Sequence, residues 1–393
     1  MKRNLLSGAL LTTLIVAIAH LTIQNLKTSH RAHLNALLVT AVEKADALQV
    51  TDLLRQGADP NVKVPDKQYF PSPPPPPPPS WKERFYHFLS PPCCEGQPVS
   101  FERPALLHAM FEESTNIAQS LLAAGANPNV TDERGSTPLC LALDHLDDPP
   151  PGPRQALIKM LISKGADVNQ GNPLARAAEM STFDGPATGS PGIQNVQLLL
   201  AHGATVQGKA GQVALVAAAG SGNLGVVKLL LGKGIRSNAD DLVEAARTGR
   251  LETVRFFLDK GISANAKTSY SETALLACER SEPNNNITRL LLQRGANVNA
   301  RALDGSTALF YANRSVAQIL LDHNADVNAK RNDGNTVLTI AALRGKGDMI
   351  KLMLAHGADF HLRNRAGHTA LMLAVANKRK EAATILRAAG ERQ

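Results

Sequence analysis

The chain has 393 residues, of which 44% are hydrophobic and 19% charged; with that balance disorder is not the default, and there is ample apolar material to bury. The net charge of +8, from 42 Lys and Arg against 34 Asp and Glu, is mild over this length. It permits an acidic partner without demanding nucleic acid, and no nucleic-acid-binding motif of the usual kinds is present.

Lys2 and Arg3 precede an apolar run from Leu5 to Ile23. A basic start followed by an apolar stretch predicts a signal peptide or signal-anchor helix over residues 1–25. Ala17-Ile18-Ala19 has the small-x-small form of a cleavage site. The alternative is a retained anchor, since the run is just long enough to span a bilayer. Lys2 and Arg3 would then hold the N-terminus in the cytoplasm. Both readings export the rest of the chain: periplasmic or secreted after cleavage near Ala19, or anchored in a bacterial inner membrane by Leu5–Ile23. A buried helix is the plainer alternative, but the run has no polar face.

A first helical unit is expected over residues 34–61. Ala36 to Lys44 forms its first helix, and Val50, Leu53, Leu54 and Gly57 mark its second. Residues 62–102 then interrupt the pattern. Pro73 to Pro79 are consecutive prolines, which take an extended polyproline conformation. Tyr69, Phe70, Trp81, Phe85, Tyr86 and Phe88 surround them. A short helix from Trp81 would set Trp81, Phe85 and Phe88 on one side. These aromatics either cover the edge of the first unit or form a partner-binding arm. Cys93 and Cys94 end the arm. Four cysteines in all are too few for a disulfide-built fold, and Cys140 and Cys278 read as small buried residues.

Residues 103–393 repeat a two-helix pattern, with insertions at 144–153 and 181–192. The first helix carries Leu-x-x-Ala, as in Leu106/Ala109, Leu139/Ala142, Leu215/Ala218, Leu242/Ala245, Leu309/Ala312 and Leu338/Ala341. The second ends in a glycine preceded by apolar residues seven, four and three positions earlier, as Val254, Phe257 and Leu258 precede Gly261. Gly is cheap at the left-handed position that ends a helix. Helices this short are marginal alone in water, so each unit needs a neighbour. Asn324, Gly357 and Gly390 close successive units at steps of 33 residues. The last unit carries Arg387 in an apolar slot and Lys378, Arg379 and Lys380 in its turn, as a solvent-facing terminal repeat requires.

The step length, the loops Gly-Ala-Asp-Val-Asn at 165–169 and Gly-Ala-Asn-Val-Asn at 295–299, and Asp304-Gly305-Ser306-Thr307-Ala308-Leu309 together resemble the ankyrin-repeat family. Thr137-Pro138-Leu139 is the best copy of that family's helix-start motif, with Cys140 in the place of its His. The resemblance implies an all-α solenoid of about ten helix-turn-helix units with loop insertions and an N-terminal hydrophobic helix. It also implies a non-enzymatic scaffold that binds a protein partner through its loop tips and first-helix face. On that basis the partner-binding residues are expected among Thr131, Asp132, Glu133 and Arg134; Arg301, Leu303 and Asp304; Lys330, Arg331, Asn332 and Asp333; and Arg363, Asn364 and Arg365, with Trp81, Phe85 and Phe88 of the arm. Rival readings are a membrane-tethered scaffold with the Pro-rich segment as spacer, and a translocated regulator acting in another compartment.

No phosphate-binding glycine loop, zinc-protease helix or nucleophile elbow occurs. No enzyme activity, cofactor, metal, nucleic acid or small-molecule substrate is expected. His202, His323 and His356 recur just before the terminal residue of the second helix, a slot filled elsewhere by Lys164, Lys233, Lys260 and Arg294. A cation there is favoured by the helix dipole.

Overall fold

The structure, a computed structural model, describes residues 2–65, 102–144, 153–180, 191–281 and 283–390. Trp81, Phe85 and Phe88, the Pro73–Pro79 run and most of both smaller insertions lie outside the described residues. The chain divides into two compact units, the first covering 1–173 with 202–204 and the second 174–201 with 205–393.

The first unit opens with α1 (Lys2–Glu43) and continues through α2 (Ala47–Arg55), β1 (Lys63–Pro65), β2 (Glu102–Pro104), α3 (Ala105–Phe111), α4 (Thr115–Ala123), α5 (Pro138–Asp144) and α6 (Pro153–Ser163). The expected helix over 36–44 is no separate element. No Gly or Pro stands between Ile23 and Ala36, so nothing breaks the helix and α1 joins the apolar run to the first repeat helix. Its C-terminal part packs, with Leu34, Leu38, Ala41 and Val42 buried, whereas Leu21, Ile23 and Leu26 are 63%, 52% and 67% exposed. No helix among the described residues is long and apolar enough to cross a membrane. β1 and β2 pair antiparallel, with Val64 opposite Arg103. The long insertion therefore leaves and re-enters the fold on neighbouring strands.

The second unit is a stack of helix pairs: α7 (Pro173–Glu179), α8 (Pro191–Ala201), α9 (Gly208–Ser221), α10 (Leu224–Gly232), α11 (Ala239–Arg247), α12 (Leu251–Asp259), α13 (Ala274–Ser281), α14 (Asn285–Gln293), a 3-10 turn (Ala308–Phe310), α15 (Arg314–Asp322), α16 (Val337–Arg344), α17 (Gly347–Ala355), α18 (Ala370–Ala376) and α19 (Lys380–Gly390). First helices pack on first helices, as α11 does on α9 and α13 and α16 on α18; second helices form a parallel layer through α14, α15, α17 and α19. Leu215, Ala218, Leu242, Ala245, Leu275, Cys278, Leu338 and Ala341 fill the seam between first helices and are buried. Small residues at the second place of Leu-x-x-Ala let neighbouring helices approach closely.

One first helix is lost. Between Gly295 and Asn324 the chain is four residues shorter than the 33-residue step, about one α-helical turn. The turn is taken where Leu309/Ala312 were expected on a helix: only the 3-10 turn forms, and Asn313 caps α15 at once by accepting from the Val316 N–H. Leu309 stays buried, but Ala312 is only half-buried.

Asparagines clip one repeat to the next. The Asn265 amide accepts from Asn297 N at 2.7 Å and donates to Gly295 O at 2.8 Å. Asn299 does the same to Asp326 N (2.8 Å) and Asn324 O (3.1 Å), and Asn328 to Asp359 N (2.8 Å) and Gly357 O (3.4 Å). In the first unit Asn129 clips Asp167 N and Gly165 O. A net hydrogen bond contributes about 1 kcal/mol, so each clip adds a modest term that repeats along the stack. His361 takes the place in the last repeat.

Candidate functional site

In the second unit a projecting loop follows Gly261, Gly295, Asn324 and Gly357. Each loop ends in one tight turn. Ala302 N donates to Ser306 O and Gly305 N to Ala302 O; Arg331 N donates to Asn335 O and Gly334 N to Arg331 O; Asn364 N donates to His368 O and Gly367 N to Asn364 O. Thr268, Ser271 and Glu272 repeat the pattern one loop earlier. The turn needs a left-handed residue at its fourth position, and Ser271, Gly305, Gly334 and Gly367 all have positive φ. Gly234, by contrast, is followed by Ile235-Arg236-Ser237 and then the N-cap Asn238, leaving no room for a tip.

Three consecutive tips are joined into a ledge. Asn332 N donates to Asp304 O at 2.9 Å, and Arg365 N to Asp333 O at 3.0 Å. Asn332 Nδ2 donates to Leu303 O (3.0 Å) and Asn364 Nδ2 to Asn335 Oδ1 (3.0 Å). The backbones approach so closely that a Cβ on Gly334 would lie 2.7 Å from Arg365 N.

The ledge sorts the expected site residues by what they touch. Asp304 accepts from Ser306 N (3.0 Å) and Oγ (2.9 Å) and from Arg331 Nη2 (2.8 Å). Its partial burial raises the pKa, but these donors outweigh it and hold the carboxyl below the usual range. Asp333 behaves alike: slight burial is outweighed by the Asn335 N–H and amide, then by Arg331. Asp304, Asp333, Arg331 and Asn364 thus build the turns. Arg301, Leu303, Lys330, Asn332, Arg363 and Arg365 are exposed on the rim, with Leu303 76% exposed. Arg301 Nη1 rests on Gly305 O (3.3 Å) and Lys330 O (2.8 Å), and Arg363 Nη1 on Gly367 O (2.6 Å). These bonds fix the guanidinium groups without neutralising them.

Thr131 to Arg134 belong to the first unit, where they form the same kind of turn. Asp132 Oδ1 accepts from Arg134 N (2.9 Å) and Ser136 N (2.7 Å), while Thr131, Glu133 and Arg134 are exposed. Sequence reading passed over Lys267 and Tyr270. Lys267 occupies the position of Arg301, Lys330 and Arg363, counted from the end of the preceding helix, and Tyr270 is 75% exposed at its tip. That shared count was the available signal.

Charged groups are also buried among the first helices. Asp241 caps α11, accepting from Asn238 N at 2.7 Å and from Gln212 Nε2 at 3.1 Å. Arg247 Nη2 meets Glu272 Oε2 at 2.6 Å, and its Nε lies 3.3 Å from Glu244 Oε2. Glu279 accepts from Thr288 Oγ1, while its Oε2 is buried without a hydrogen-bond partner among the described residues. Burial dominates at all three acids and pushes Asp241, Glu244 and Glu279 each up to about 7. Among the described residues no group of His, Cys, Asp or Glu is placed to hold a metal ion.

The family model described as ankyrin repeats in three copies matches residues 242–331 and 313–392, the stretch that carries the ledge. No curated protein matches the chain.

Proposed function

We propose that this chain, which carries ankyrin repeats over residues 242–392, is a non-enzymatic scaffold that binds a protein partner along its loop tips and the adjoining first-helix face. Ankyrin repeats in general imply protein partners. The observation that carries the reading here is the ledge: exposed, chemically varied side chains on a backbone already fixed by hydrogen bonds between tips. Pre-ordering the surface lowers the entropy lost on binding. Leu343, Met372 and Val375, 38%, 45% and 50% exposed on α16 and α18, extend it with apolar contact area. A photoreactive residue at position 303 should give a discrete protein adduct in expressing cells, and one at Lys351, exposed on α17, should not. Equal labelling from both positions, or none from 303, would remove this face as the binding site.

The same reading takes the repeats as ten units over 34–390, supported by buried Leu-x-x-Ala pairs as early as Leu38/Ala41 and Leu106/Ala109. It places the chain outside the cytoplasm, exported by the Leu5–Ile23 segment. The alternative is a tethered form, for which Leu21, Ile23 and Leu26, left uncovered by α1, offer apolar surface. Intact mass decides: a soluble exported protein shortened to about His20 supports cleavage, full length in membranes supports the tether, and full length in the cytoplasm refutes export.

A further inference from the structure

Lys267, Arg301, Lys330 and Arg363 stand at one register position in four consecutive loops, and all four are exposed. Among the described residues none of them forms an ion pair. Arg301 and Arg363 are held by backbone carbonyls, so their charge remains available. The nearby carboxylates keep their charge but are turned to other partners, not to these four cations. Asp304 is held by Ser306 and Arg331, and Asp333 by Asn335. Asp326 and Asp359 cap their own turns, accepting from Asn328 N (2.9 Å) and His361 N (2.8 Å). Arg365, also exposed, adds to the positive rim. Between the cations stand exposed apolar tips, Tyr270 and Leu303.

We propose that this row receives an extended acidic segment of a protein partner, its carboxylates meeting Lys267, Arg301, Lys330 and Arg363 and its apolar side chains covering Tyr270 and Leu303. The proposal rests on the reading that the tips bind protein, and it names the chemistry of that partner. Guanidinium groups in a fixed orientation favour carboxylates, which accept two parallel hydrogen bonds. Cations separated by apolar residues suit a polypeptide that mixes acidic and apolar side chains. A phosphate polymer or a headgroup layer offers no such alternation. The ledge matches an extended chain because its tips are joined in a line by the bonds from Asn332 N and Arg365 N.

The test is selection of a random dodecapeptide library on the full chain, followed by binding of the selected peptides to variants. Selected peptides should be enriched in Asp and Glu at least threefold over the library. Lys267→Glu with Lys330→Glu should weaken them by about tenfold, since attraction becomes repulsion at two sites. Neither lysine makes a side-chain hydrogen bond or ion pair among the described residues, so this variant should keep the wild-type melting temperature. Lys351→Glu is the control and should leave binding unchanged, and raising the salt should weaken binding. Arg301→Glu with Arg363→Glu forms a second pair, to be read only if it melts as wild type does. Peptides without acidic enrichment, or insensitive to the lysine reversal, would overturn the proposal while leaving the tip-binding reading intact. An adduct at position 303 with no selected peptides would do the same. Absence of both would overturn the tip-binding reading as well. Binding to phosphatidylglycerol–phosphatidylcholine vesicles that the lysine reversal abolishes, without peptide enrichment, would overturn it in favour of a lipid surface.

Discussion

Raising the pH from 5 to 8 should destabilise the repeats of the second unit, with a loss on the order of 2 kcal/mol for each of three buried carboxyls. The groups are Asp241, Glu244 and Glu279, pushed by burial from 3.8, 4.5 and 4.5 to about 7. Hydrogen bonds from Asn238 and Gln212 offset only part of the effect at Asp241, as Thr288 does at Glu279. At Glu244, Arg247 is a partial counterweight, because its guanidinium lies closer to Glu272, at 2.6 Å against 3.3 Å. The sign follows from the raised folded values. The folded state holds these protons to higher pH than the unfolded chain, so their stabilising contribution is complete below about pH 4 and is lost as pH rises through about 7. Below pH 4 the order reverses for Asp304 and Asp333, whose lowered values make protonation destabilising. Urea midpoints across the range should therefore peak on the acid side of neutrality. Glu279→Gln should flatten the fall towards pH 8 by roughly a third. Stability that stays flat or rises from pH 5 to 8 would contradict this description of the buried acids.

Gly334→Ala should cost about 2–4 kcal/mol, and Gly357→Ala only about 1 kcal/mol. Both glycines have left-handed backbones, at φ +81 for Gly357 and +79 for Gly334, so both substitutions carry the same conformational penalty. The surroundings differ. A Cβ on Gly357 meets nothing within 4 Å, whereas one on Gly334 lies 2.7 Å from Arg365 N and 3.1 Å from Asn364 C. Those atoms are backbone and cannot swing aside, so the neighbouring tip must move and the Arg365–Asp333 bond must stretch. Equal costs for the two variants in denaturant titration would mean that the tips are not packed against one another.

The repeat pattern was readable because it is local. Leu338 and Ala341 lie one turn apart on a helix too short to stand alone, and Gly357 follows at the one position where its left-handed backbone is cheap. Even Asn324, which replaces that glycine, takes φ +64, as Asn tolerates. The asparagine clips were missed because each acts on a repeat about thirty residues away; Asn299 looks like an ordinary polar loop residue until Asp326 is beside it. The lost turn at 308–310 was hidden by Leu309, which keeps its core position without a helix. Nothing local in the sequence marks Glu244 and Glu279 as buried, since only the neighbouring first helices cover them. At the ledge, the composition of the tips was visible, but not the division between Asp304, which holds the turn, and Leu303 and Lys330, which face outward. That division depends on hydrogen bonds between loops.

The most direct test of the pre-ordered ledge is amide hydrogen exchange in the free chain. Asn332 and Arg365 lie in exposed loops, yet their N–H groups bond to Asp304 O and Asp333 O of the preceding tips. They should exchange as slowly as helical amides such as that of Ile350 in α17. Exchange as fast as that of an unstructured loop would show that the tips move independently, and the rigid binding surface would have to be abandoned.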